Sequence, residues 1–136
     1  MIAYFAADLL WASKIKATAD AIGVPARPVR NLDMLEARLS DSDVRGLIVD
    51  LDAAPTAFEL VRRVRAVNGA RAAQHASELP GNAAGTATVQ RVRIAAFGPH
   101  VETESLRQAH EEGCDLVLTR GAMDRSLERV LRELDA

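Results

Sequence analysis

Apolar residues in this chain fall into short unbroken runs separated by stretches of helical spacing. Ile2 to Ala6 (IAYFA) is apolar throughout, the pattern of a strand buried on both faces. Trp11, Ile15, Ala19 and Ile22 then recur at intervals of four, four and three, which places them on one helix face, and Gly23 supplies a stop. Val24 to Val29 (VPARPV) reads as a weak strand. Its two prolines each remove a ladder donor, so it belongs at a sheet edge. Asn31 is positioned to cap a second helix carrying Leu32, Leu35 and Leu39. Gly46 to Leu51 (GLIVDL) has the strongest strand pattern and is expected at the centre of the sheet. Ala57, Leu60, Val61, Val64 and Val67 mark a third helix, with Thr56 as candidate cap. Val92 to Phe97 (VRIAAF) is another buried strand, followed by a helix from about Glu102 to Glu112 that ends at Gly113. Asp115 to Thr119 (DLVLT) reads as the last strand, and Met123, Leu127, Val130, Leu131 and Leu134 as the last helix stripe.

Strand followed by helix, five times over, implies an α/β fold with a parallel sheet covered on both faces. Five units are too few for an eight-fold barrel. The remaining architecture is an open, doubly wound, five-stranded sheet, most simply the flavodoxin-like order 2-1-3-4-5. Its functional crevice lies at the carboxyl ends of the strands, here Ala6-Ala7-Asp8, Asp50, Gly98 and Thr119-Arg120. One domain is expected over residues 1–136, with an insertion at about 68–91. That segment is rich in Ala and Gly. Its first part extends the third helix, and Glu78 to Thr88 (ELPGNAAGTAT) reads as a loop.

Composition narrows the options. Hydrophobic residues make up 49% of the 136, enough for a packed core, but aromatics are only 4%, so Ala, Leu and Val must fill most of it. A net charge of -2 offers no global attraction to nucleic acid or anionic lipid. Arg62, Arg63, Arg65, Arg71, Arg91 and Arg93 concentrate positive charge around the third helix, without the aromatic platform that single-stranded nucleic acid favours. A solvated face balanced by acids elsewhere is the expected reading. The single cysteine, Cys114, excludes an internal disulfide and reads as a small buried hydrophobe. No apolar run approaches the ~18 residues of a membrane span. The start lacks the basic stretch and cleavage site of a signal peptide. The expectation is a cytoplasmic protein.

Motif chemistry is sparse. Neither GxxxxGK[ST], nor GxGxxG after the first strand, nor GxSxG is present. His75, His100 and His110 share no metal spacing with one another or with Cys114. Only His100, following Gly98-Pro99 at a strand end, faces the crevice. No nucleophile–base pair is visible, so an enzyme is not expected.

The strand ends resemble those of the receiver domains of two-component response regulators. GLIVDLDAAP resembles the third-strand signature, with Asp50 at the phosphoacceptor position and Pro55 a few residues on, and CDLVLTRGA resembles the end of the fifth strand. The resemblance implies an acidic pair on the first strand holding Mg²⁺, a Thr or Ser on the fourth, and a Lys on the fifth. Those types suit phosphoryl transfer to a carboxylate, because a hard cation and a Lys neutralise the phosphoryl oxygens. Here the acidic pair aligns with Ala6 and Ala7, with Asp8 following; the hydroxyl position is Gly98; and the Lys position is Arg120, followed by Gly121. An arginine keeps the charge with a different reach and geometry.

Asp50 therefore has two readings. In one it accepts a phosphoryl group from a histidine kinase, with Asp8 and Asp52 helping to hold Mg²⁺. In the other it is a retained strand-end carboxylate, paired with Arg120 or capping backbone amides, and no cofactor is needed. The second is preferred. It makes the chain a pseudo-receiver acting through protein–protein interaction with signalling partners, and the resemblance implies Glu102 to Leu134 as the contact face and a homodimer through it. A third reading is a ligand-binding module whose crevice uses Arg120, His100 and the 68–91 segment as anion contacts.

Overall fold

The computed structural model describes residues 1–78 and 91–136. Five strands, β1 (Ile2–Phe5), β2 (Ala26–Pro28), β3 (Gly46–Asp50), β4 (Arg93–Gly98) and β5 (Leu116–Thr119), form one parallel sheet in the order β2-β1-β3-β4-β5. Five helices connect and follow them: α1 (Leu9–Ile22), α2 (Leu32–Asp41), α3 (Thr56–Glu78), α4 (Thr103–Glu111) and α5 (Arg120–Asp135), with a short 3-10 turn at Leu51–Ala53. The proline-bearing β2 lies at the edge and pairs with β1 over only three positions, while β3 is central.

Alternation across the sheet explains the unbroken apolar runs. Leu47 and Val49 point to one face, where Leu35, Leu60, Val61 and Val64 of α2 and α3 cover them. Ile48 points to the other face, into a core with Trp11 and Ile15 of α1 and Met123, Leu127 and Leu131 of α5. Both layers are dry, so β3 has no polar position until Asp50. Each side chain the size of Ile48 buried this way contributes about 1.5–3 kcal/mol. Trp11 stacks obliquely on Phe97, ring centroids 4.7 Å apart, which joins α1 to the middle of the sheet.

The helix ends follow local chemistry. Asp8 caps α1 by accepting from Trp11 N–H at 2.8 Å, and Asn31 caps α2 through Met34 N–H at 2.9 Å. Gly23 closes α1 with φ 75°, and Gly113 follows α4 with φ 88°, both in the left-handed region. One start differs from the sequence reading. Thr56 is the first residue of α3 rather than a residue outside it, so its hydroxyl is not the cap. α5 begins at Arg120, three residues before its apolar stripe, because Thr119 accepts from Ala122 N–H and closes the first turn directly on the end of β5.

The Ala-rich stretch after Asn68 does extend α3, as far as Glu78. The expected loop beyond it and the side chain of His75 lie outside the described residues. Both ends of this segment are tied to the body. Asn68 donates to Val92 C=O and accepts from Val92 N–H, each at 2.8 Å, so its amide acts as a surrogate strand partner at the entry to β4. The basic cluster is balanced at several points: Arg62 pairs with Glu112 at 3.0 Å, Arg63 with Glu36 and Arg91 with Asp115, while Arg93 donates to Glu133 C=O at 2.8 Å. No described helix is long and apolar enough to cross a membrane.

Candidate functional site

Asp50 is the one polar or charged residue among the described residues that is buried outright, with 0% of its surface exposed. A carboxylate taken out of water needs compensation from nearby donors, and the fold supplies three. Ala7 N–H donates to Oδ2 at 2.9 Å, because β1 stops at Phe5 and the chain crosses the top of β3 on its way to α1. Asp52 N–H donates to Oδ1 at 3.1 Å, which makes Asp50 the cap of the 3-10 turn that follows it. Arg120 Nη2 lies 3.5 Å from Oδ1, an ion-pair distance beyond strong hydrogen bonding.

Arg120 bridges two acids. Its Nη2 also meets Asp52 Oδ2, the closer of the two carboxylates. The guanidinium sits in the first turn of α5, where the helix dipole disfavours a cation by roughly 0.3–1 kcal/mol, and the two carboxylates offset that cost. Arg120 Nε is buried and has no hydrogen-bond partner among the described residues. One donor of the fork is thus desolvated without return, which fits a side chain held by its tip rather than by a bidentate pairing.

The other positions are arranged as follows. Ala6 and Ala7 offer backbone groups only. Asp8, exposed, commits Oδ1 to the cap of α1. Gly98 pairs in register with Thr119, and a Cβ built on it would stand 3.2 Å from Leu51 Cβ, so a hydroxyl-bearing residue there would crowd the turn after Asp50. Thr119 spends its hydroxyl on Ala122 N–H. His100 is exposed just beyond the end of β4, and no hydrogen bond or ion pair joins it to Asp50 or Arg120. His110 is exposed on α4. Cys114 is half-buried against the core, and burial first, then the nearby Asp115 and Glu112 charges, pushes its thiol up to about 12.

The carboxylates that meet Arg120 at the crevice are those of Asp50 and Asp52. No group of three or more His, Cys, Asp or Glu among the described residues could hold a metal ion. Mg²⁺ wants near-octahedral oxygen ligation, whereas here the two carboxylates already face a guanidinium and two backbone amides. The donor set does not fit Mg²⁺ in this arrangement. The groups that sequence reasoning missed are the Ala7 amide, Leu51 as the wall against Gly98, and Asp52 as the nearer partner of Arg120. A backbone donor leaves no trace in residue type, so the first of these had no sequence signal.

No protein-family model and no curated protein matches the sequence. Solved structures do match over 98% of the chain. A receiver domain of a Francisella response regulator superposes with TM-score 0.67 at 13% identity, over 93% of its own length. A Vibrio cholerae chemotaxis response regulator gives 0.64 at 13% identity, over 96%. A chain of the Saccharomyces cerevisiae co-crystal of a histidine phosphotransfer protein with a downstream receiver domain gives 0.72 at 13% identity, over 87%. The fold is that of response-regulator receivers. In that fold the crevice just described lies at the carboxyl ends of the strands, with Asp50 on the third strand and Arg120 after the fifth.

Proposed function

We propose that this chain is a receiver-like signalling domain that works through protein–protein contacts and is not phosphorylated by the Mg²⁺-dependent route. The observation that carries the reading is the cluster Asp50–Arg120–Asp52. A guanidinium stands among the carboxylates at the position where a divalent cation and a phosphoryl group would have to enter. Transfer of a phosphoryl group to Asp50 Oδ1 or Oδ2 would require breaking an amide hydrogen bond and displacing Arg120, and among the described residues no third acid groups with Asp50 and Asp52 to hold a metal. The partners are signalling proteins. The face from Glu102 to Leu134 is the proposed contact surface, including for a homodimer, and the cytoplasm is the proposed compartment.

The test is incubation with Mg²⁺ and a small phosphodonor such as acetyl phosphate, followed by intact-mass analysis at neutral pH. No phosphoryl adduct is expected on the native chain. A stoichiometric adduct that disappears on Asp50→Asn would overturn the reading in favour of a working phosphoacceptor served by a histidine kinase.

A further inference from the structure

Beside the crevice, on the α1 side of the sheet, lies a cleft of about 460 Å³ lined by α1 and by the ends of β1 and β2. Its apolar lining includes Ala12, Pro28 and Val29, and its polar lining includes Tyr4, Ser13, Lys16 and Arg30. Such a volume lies within the range of small-molecule sites.

Tyr4 marks this cleft out. The residue is only 4% exposed, inside an apolar run, yet its hydroxyl has no hydrogen-bond partner among the described residues. Buried tyrosine hydroxyls usually find one. This hydroxyl is not sealed in either, since among the described residues the buried unpartnered side-chain atoms comprise Arg120 Nε alone. The opening available to it is the cleft that Tyr4 lines. The phenol thus offers a donor and an acceptor to whatever enters.

The charges restrict the occupant. Lys16 is committed to Asp20 at 3.1 Å and to Ala26 C=O at 3.2 Å. Arg30 is exposed and has no ion-pair partner among the described residues. Asp8 also lines the cleft and carries a negative charge, with one oxygen kept for the cap of α1. One free cation facing one partly used carboxylate suits a single negative charge and disfavours two. We infer that the cleft between α1 and the β1–β2 ends binds a small organic carboxylate, its charged head on Arg30, its polar edge on the Tyr4 and Ser13 hydroxyls and its apolar body against Ala12, Pro28 and Val29. The site would stand whether or not Asp50 can be phosphorylated. Its lining includes Ala7, whose N–H holds Asp50, so occupancy would be felt in the crevice.

The experiment is amide NMR titration of the ¹⁵N-labelled chain with a panel of aromatic and branched aliphatic monocarboxylates, such as benzoate, phenylacetate and isovalerate. Each is paired with its uncharged amide and with phenyl phosphate. At least one carboxylate should shift the Tyr4, Ser13 and Arg30 amides saturably, while its amide and phenyl phosphate bind more weakly. Loss of a charge-assisted hydrogen bond in Arg30→Ala should weaken that carboxylate about tenfold or more, and Tyr4→Phe, which keeps the ring, should weaken it several-fold with the fold intact. Absence of saturable shifts across the panel, shifts confined to Asp50 and Arg120, or unchanged affinity in both variants would overturn the inference.

Discussion

Two sets of arginine–carboxylate contacts occupy this protein under different physical rules. On α3, Arg62 meets Glu112 with both partners reaching solvent, at 56% and 22% exposure. At the crevice Arg120, 32% exposed, meets Asp50, which is wholly buried. In the first set water can replace either partner, so the pairs contribute little to stability and mostly keep the basic face neutral. In the second, Asp50 has no water to fall back on. Removing a partner there leaves a charge or donors uncompensated, and that penalty, rather than the attraction itself, sets the size of the effect. Counting ion pairs would rank the two sets equally; burial separates them.

The comparison can be pressed hardest at Asp50. Asp50→Ala orphans the amides of Ala7 and Asp52 and is expected to cost about 2–4 kcal/mol, read from the urea midpoint. A loss under about 1 kcal/mol would mean that water already reaches these amides. Arg120→Ala is expected to cost less, about 1–2 kcal/mol, because the guanidinium is partly exposed and Asp50 retains both amide donors. If it costs as much as Asp50→Ala, the ion pair and not the amides carries the site.

Cys114 gives a smaller, pH-dependent signal. Its folded thiol is raised from 9.0 to about 12, so the folded state holds the proton that the unfolded chain releases. This contribution to stability is complete below pH 9.0 and is lost as pH rises towards about 12. Thiol-specific labelling at pH 8 should therefore be slow in the folded chain and should accelerate on adding urea. Fast labelling of the folded chain would show the thiol to be open. The smallest effect is expected at Arg62→Ala, whose denaturation midpoint should match the wild type in both low and high salt. A clear shift would show that the exposed pairs matter more than their burial suggests.

Much of the fold was legible in the chain, for reasons that vary by element. β3 could be placed at the centre because a strand covered on both faces admits no polar residue before its end, and β2 at the edge because Pro25 and Pro28 cannot donate. The stripe of α5 was legible but its start was not, since Arg120 to Ala122 carry no apolar periodicity and the cap that begins the helix is a hydroxyl on the preceding strand. The site was legible as residue types and as an expected pairing of Asp50 with Arg120 or with backbone amides. Asp50 and Arg120 stood out by position, but whether a cation or a guanidinium faces the carboxylates depends on side-chain direction, which spacing does not encode. Tyr4 gave no signal, because a tyrosine inside IAYFA looks like core filling.

The double hydrogen bond between Asn68 and Val92 has a consequence for how this protein can change. It works as a clasp: the two ends of the intervening stretch are fastened to the body by contacts that do not involve what lies between them. Lengthening a stretch fastened this way costs only about 0.6 kcal/mol per doubling in closure entropy. A peptide inserted after Glu78, the last residue of α3, and before Arg91 would therefore leave the clasp and the entry to β4 in place.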